Sequence, residues 1–158
     1  MRKKREAFCL SAWQLILLAC MLSTAAFIWS NSLKEAGASA QQSGYFRALF
    51  AKLFDVTQEP FRFLYHNLRK VAHFSEFALL GAETALFLVP YKERRLLRYL
   101  GGLACCAAVA LADEGIQYFV PGRAASFIDV GIDTAGATCG MLLLIALAAI
   151  CRRLFKKK

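Results

Sequence analysis

Residues 70–90 read KVAHFSEFALLGAETALFLVP. Two properties of this stretch pull against each other. It is long and apolar enough to cross a bilayer, which takes roughly 20 helical residues, and Pro90 supplies a stop. Yet it carries His73, Glu76 and Glu83, and a charge at the bilayer centre costs at least about 2.5–3.5 kcal/mol. The two are reconciled if the segment is a membrane helix whose polar groups turn toward a protein interior or a wet cavity. His73 and Glu76 are three residues apart and Glu83 lies two turns beyond Glu76, so the three make one stripe. The expected fold class is therefore all-α: an integral membrane bundle with polar residues inside.

The rest of the chain extends this reading. Of its 158 residues, 58% are hydrophobic, and the mean hydropathy is +0.45. Soluble domains are usually about 45–50% apolar. Residues 7–33 contain no charge, a run longer than the roughly 7–15 residues of a signal-peptide core. A retained first span is expected, at about residues 8–30, with further spans at 70–89, 96–119 and 127–150, all in a single domain covering residues 1–158. The third span has small residues at Gly101, Gly102, Ala104, Cys105, Ala108 and Ala112, a face suited to close helix contact. Residues 31–69 form a long outer loop. In it Phe46, Leu49, Phe50, Leu53 and Phe54 recur at helical spacing, with Arg47 and Lys52 off the stripe. This is an amphipathic helix, lying in the membrane interface or packed on the bundle. Pro60 opens a further short helix.

Charge orients the spans. The net charge is +9, and the basic residues cluster beside apolar segments, at residues 2–5, 92–98 and 152–158. No nucleic-acid motif accompanies them, so nucleic acid is not an expected partner. With the N-terminus inside, thirteen Lys and Arg fall on inner segments and seven on outer ones. The positive-inside rule then gives a multi-pass protein of the cytoplasmic membrane with both termini cytoplasmic and Ser43 on the far side. None of the six cysteines lies in the long loop, and no disulfide framework is expected. Cys105 and Cys106 read as small packing residues.

That orientation makes the polar residues converge. Lys70, His73 and Glu76 open the second span, and Asp113, Glu114 and Gln117 close the third. Arg123, Ser126, Asp129 and Asp133 bracket the start of the fourth. All lie near the outer surface, with Glu83 alone at mid-depth. Asp113 and Gln117 share a face, as do Ser126, Asp129, Asp133, Gly136 and Gly140. Arg123, after the Pro121-Gly122 turn, can lean over the shared vestibule and take an anion bidentately.

At these residues the chain resembles the VanZ-like family of bacterial membrane proteins. The resemblance is carried by residues 69–81 (RKVAHFSEFALLG) and 113–123 (DEGIQYFVPGR). Ser126, Asp129, Val130, residues 133–137 (DTAGA), Gly140 and the Ser30-Asn31-Ser32 exit from the first span complete it. Phe77 stands where the family commonly has Tyr, and Asp133 where it commonly has Asn. The family's founding member is associated with resistance to the glycopeptide teicoplanin. The resemblance thus implies the membrane fold and a bacterial cell-envelope setting, while the orientation of the spans and the convergence of their polar residues give an outward-facing polar site. That site would recognise an amphiphilic or lipid-linked molecule, such as a lipid-linked cell-wall precursor or an amphiphilic antibiotic. Membrane lipids are expected partners, and a homo-oligomer is compatible with the sequence.

Other readings stay open. In a structural one, Arg123 or Lys70 neutralises the acids while Gln117 and Ser126 satisfy the rest, registering the helices. In an enzymatic one, His73 with Glu76, and Asp113 with Glu114, hold a divalent metal or perform acid–base chemistry on a lipid-linked substrate. Proton-coupled transport would draw on Glu83. The sequence leans away from catalysis: it has no serine elbow, phosphate loop or two-histidine metal motif. One histidine among carboxylates is a weak zinc site, so neither a resident metal nor a cofactor is expected.

Overall fold

The computed structural model describes residues 11–34, 36–91 and 94–155, and among these it is built of helices with no strand. The helices are α1 (Ala12–Ser32), α2 (Ala36–Leu53), α3 (Phe61–His66), α4 (Leu68–Leu88), α5 (Arg95–Phe119) and α6 (Phe127–Phe155). Four of them, α1, α4, α5 and α6, are long and apolar enough to cross a membrane. At 1.5 Å per residue, the 21 residues of α1 and of α4 reach about 31 Å, the thickness of a hydrocarbon core.

Local chemistry explains the helix ends. Ser11 caps α1: its hydroxyl accepts from the Gln14 amide at 3.3 Å, and the Gln14 side chain accepts from the Ser11 amide at 3.0 Å. Gln14 also donates to the Tyr91 hydroxyl at 2.7 Å, tying the start of α1 to the segment after α4. Between α5 and α6 the chain turns at Pro121-Gly122, where Gly122 adopts φ 77°, a conformation glycine takes without steric cost. The Ser126 hydroxyl then accepts from the Ile128 amide at 3.2 Å at the start of α6. α2 begins at Ala36, well before the aromatic stripe that signals it in the sequence. Residues 36–42 (AGASAQQ) are rich in Ala and Gln, good helix formers that let the helix propagate backward at little cost. α6 runs to Phe155 and carries Arg152 and Arg153 in its last turn, where basic side chains suit a helix C-terminus.

α4 is the central helix, in contact with α1, α5 and α6. Its approach to α6 is set by three glycines. A Cβ on Gly81 would overlap the Ala137 carbonyl, one on Gly136 the Phe74 carbonyl, and one on Gly140 the Ala78 carbonyl. The two backbones are in direct contact, the arrangement small residues permit in membrane helices. Beside this seam lies an apolar core of Ile28, Phe77, Leu80, Cys106, Ala110 and Ala137. Phe77 is wholly buried there, an environment suited to a ring without a hydroxyl.

The small-residue face of α5 is not where it packs. Gly101, Ala104, Cys105, Ala108 and Ala112 are exposed, and the helix instead buries Cys106, Ala110, Asp113, Glu114 and Gln117. Gly102, on the expected face, does come close to α4, facing Thr84 and Leu88. The physical reason is the C-terminal half of α5. Turning Asp113, Glu114 and Gln117 toward lipid would cost far more than exposing alanines, so the polar residues fix the helix rotation. Cys105 and Cys106 accordingly part: Cys106 is buried with its sulfur 3.5 Å from the Thr84 hydroxyl, and Cys105 is exposed.

Candidate functional site

The C-terminal ends of α1 and α5 meet the N-terminal ends of α4 and α6 at one end of the bundle, as the hydrogen bonds among them show. The opposite end holds the Gln14–Tyr91 contact. α2 and α3 lie at the first end, α2 touching α3 and α4.

Gln117 is the hub of the polar cluster. Its Nε2, which carries two hydrogens, has three acceptors within reach: Asp113 Oδ2 at 2.8 Å, Glu114 Oε1 at 3.3 Å and Ser32 Oγ at 3.3 Å. Its Oε1 accepts from Arg69 Nη2 at 3.0 Å. One amide thus ties together α1, α4 and α5. Glu114 also accepts from the Ser126 backbone amide at 2.7 Å, holding the start of α6 against α5. Asp113 is 0% exposed and Asp133 1%. His73 Nδ1 lies 3.8 Å from Asp113 Oδ2 and 3.9 Å from Asp133 Oδ2, so three helices bring one potential ligand atom each to a common point.

Two cavities open beside this cluster. One, of about 270 Å³, is lined mainly by polar and charged residues, with Arg69, Lys70, His73, Glu114, Gln117, Arg123, Asp129 and Asp133 in its wall. The other, of about 460 Å³, is mostly apolar. It runs between α2 on one side, through Phe46, Leu49, Phe50 and Leu53, and α1 and α4 on the other, through Phe27, Leu68, Val71 and Ala72. Arg69, His73 and Arg123 belong to both walls. The aromatic stripe of α2 therefore faces the bundle across a gap, and Phe46 stays 50% exposed.

The scan against family models matches residues 13–150 to VanZ/LLP1. The chain belongs to the VanZ/LLP1 family. It is a VanZ-like, multi-pass membrane protein. Comparison with curated proteins and with solved structures returns no match.

Within this VanZ-like bundle the residues singled out in the sequence take different positions. His73, Asp113, Glu114, Gln117 and Asp133 come together as described. Lys70 sits at the rim, 3.5 Å from Asp129, both partly open to solvent. Ser126 contributes its backbone amide to Glu114, while its hydroxyl serves the α6 start. Glu76 turns away from His73 toward α1, accepting from Asn31 Nδ2 at 3.4 Å, and its side chain lines the apolar cavity. Glu83, about 10 Å further along α4, accepts from Thr24 at 3.1 Å and is remote from the cluster. Arg123 does not pair with a carboxylate at ion-pair distance among the described residues. Its Nη2 donates to the Asn31 carbonyl at 3.1 Å, while Nε and Nη1 are buried without a hydrogen-bond partner. Burial, and then the nearby Arg69, lower the Arg123 pKa from its ordinary value. The guanidinium is half-buried between the two cavities, with the acidic Asp113 and Glu114 acting on it from beyond ion-pair distance.

Sequence reasoning missed Arg69, Asn31 and Ser32 as parts of the site. Arg69 was legible: it lies four residues before His73 and seven before Glu76, on one helical face. The contributions of Asn31 and Ser32 depend on how α1 approaches α4 and α5, which no local pattern encodes.

Proposed function

We propose that this VanZ-like protein recognises an anionic amphiphile at the outer leaflet of a bacterial cytoplasmic membrane, with the termini of the chain on the cytoplasmic side. One observation carries this reading: a polar and an apolar cavity share a wall made by Arg69, His73 and Arg123. An amphiphile has the matching division. Its anionic headgroup would meet two guanidiniums, which favour phosphate and carboxylate in bidentate geometry, with Lys70 at the rim. Its chain would lie beneath α2 against Phe46, Leu49 and Phe50. A chain already in lipid moves from one apolar medium to another and gains little by doing so. Discrimination therefore rests on the headgroup, and the groove sets orientation. The count along the sequence, thirteen Lys and Arg on the inner segments against seven on the outer ones, supports the outward placement.

A lipid-linked cell-wall precursor and an amphiphilic glycopeptide both have this chemistry, and the founding relative's association with teicoplanin resistance agrees with either. The test uses purified wild-type protein and Arg123→Ala, titrated in neutral detergent with phosphatidylglycerol and phosphatidylcholine and read by native mass spectrometry. The wild type should retain the anionic lipid at least about tenfold more tightly than the neutral one, and Arg123→Ala should lose most of that preference. Equal retention of both lipids by the wild type would sink the reading.

A further inference from the structure

We infer that His73, Asp113 and Asp133 form a binding site for one divalent cation, Mn²⁺ or Zn²⁺, with one ligand from each of α4, α5 and α6. One ligand atom from each residue lies within 4.8 Å of the others. The imidazole Nδ1 stands 3.8 Å and 3.9 Å from the two aspartate oxygens. These separations are too long for hydrogen bonds. They approach the spacing of ligands around a metal, where bonds of 2.0–2.1 Å at tetrahedral angles place neighbouring donors about 3.4 Å apart.

A second observation points to a ligand. Asp133 is 1% exposed, and neither of its oxygens accepts a hydrogen bond among the described residues; Asp113 is 0% exposed, and its Oδ1 likewise has no donor. Buried carboxylate oxygens without donors are costly, and a cation coordinated between them supplies what the neighbouring side chains do not. The rest of the surroundings fit. Gln117 donates to Asp113 Oδ2 at 2.8 Å, the kind of contact that orients a metal-ligating carboxylate. Two carboxylates and one imidazole, with no thiolate, suit a hard or borderline cation. Three protein ligands leave a coordination position open, and His73 and Asp133 border the polar cavity, which provides an entry path.

This ligand set differs from the pairs that spacing suggests. Glu76 Oε1 accepts from Asn31 while its Oε2 is buried without a donor, Glu114 accepts from Ser126, neither belongs to the trio, and the trio arises only when three helices converge. The inference does not rest on the amphiphile reading, because cation binding is measured with no lipid added.

The full-length protein, stripped with chelator in detergent, is dialysed against Mn²⁺ or Zn²⁺ and submitted to elemental analysis. The expected result is one cation per chain and a raised melting temperature. His73→Ala and Asp133→Asn should each weaken binding at least about tenfold, while Glu83→Gln, on α4 but remote from the cluster, leaves it unchanged. The electron spin-echo spectrum of the Mn²⁺-loaded wild type should show nitrogen modulation from one imidazole, a readout that does not depend on the folding of any variant. A folded wild type that takes up no stoichiometric cation would overturn the inference. Retention of the cation in both trio variants, or a spectrum without imidazole nitrogen, would also overturn it.

Discussion

α4 presents two unlike faces. Toward α6 it is closed: Gly81, Gly136 and Gly140 bring backbone against backbone with no room for a methyl group. Toward α2 it is open, separated from Phe46, Leu49 and Phe50 by a cavity of about 460 Å³. Protein interiors are ordinarily close-packed, and the closed face meets that standard. The open face leaves aromatic side chains half-covered on a helix that could have packed. The contrast teaches where each part of the sequence acts. The α4–α6 seam is packed backbone to backbone, and the α2 side keeps a cavity, where the amphiphile of the proposed function would lie.

The strongest way to break this comparison is to force the closed face open. Gly140→Leu would drive a side chain into the Ala78 carbonyl. Backbone cannot rotate away as a side chain can, so the cost should reach about 3 kcal/mol or more, beyond the usual 1–3 kcal/mol of overpacking. Loss of the folded protein from membranes, and a broad early melt in detergent, are expected. A near-normal melt would mean that the seam carries little of the stability.

Gln117→Leu is next. It removes the amide that joins Asp113, Glu114, Ser32 and Arg69 and leaves buried charge without its donor. A cost of about 2–3 kcal/mol is expected, measured as a fall in melting temperature. A smaller loss would show that water reaches the cluster freely.

Arg123→Ala sharpens the comparison, because it should separate function from stability. The visible bond lost is one donation to the Asn31 carbonyl, worth about 1 kcal/mol net. The variant should accumulate near the wild-type level and yet fail in a glycopeptide-susceptibility assay. Normal accumulation with normal susceptibility would remove Arg123 from the site.

Ala72→Trp addresses the open face directly. Ala72 is exposed and lines the apolar cavity, so the indole should fill space at a stability change within about 0.5 kcal/mol. Retention of phosphatidylglycerol by the purified protein should fall. Undiminished retention would place the chain of the amphiphile elsewhere.

The smallest structural effect belongs to Gly44→Cys, in a background with the native cysteines replaced. A Cβ at Gly44 meets nothing within 4 Å. Ser43, its neighbour, lines the apolar cavity and is a poorer reporter. Labelling of Cys at position 44 by an impermeant thiol reagent in intact cells is expected. Labelling only after membrane disruption would invert the proposed topology.

Much of the fold was legible because membrane helices announce themselves by length and apolarity, and because lipid offers nothing to satisfy a stray charge. The uncharged run at residues 7–33 and the interrupted run at 70–90 needed no tertiary information to be read. The rotation of α5 was harder. Two faces of that helix compete for burial, one small and one polar, and local spacing weighs them equally; the cost of exposing Asp113 and Gln117 to lipid settles it. The same limit applies to His73. Helical spacing places Glu76 near it, but a residue three positions away on one helix can serve a different neighbour.

By itself the sequence determined that this is an all-helical protein of the VanZ/LLP1 family, with four helices able to span a membrane and ionisable residues gathered near their ends. Those properties depend on composition and on the fixed 3.6-residue period, both of which are local. The tertiary structure decided that His73 meets Asp113 and Asp133, that Gln117 joins three helices, and that Arg69 and Arg123 stand between a polar and an apolar cavity. These are contacts between helices far apart in the chain. Their register is set by how closely Gly81, Gly136 and Gly140 let the backbones approach, a property of pairs of helices that no single segment contains.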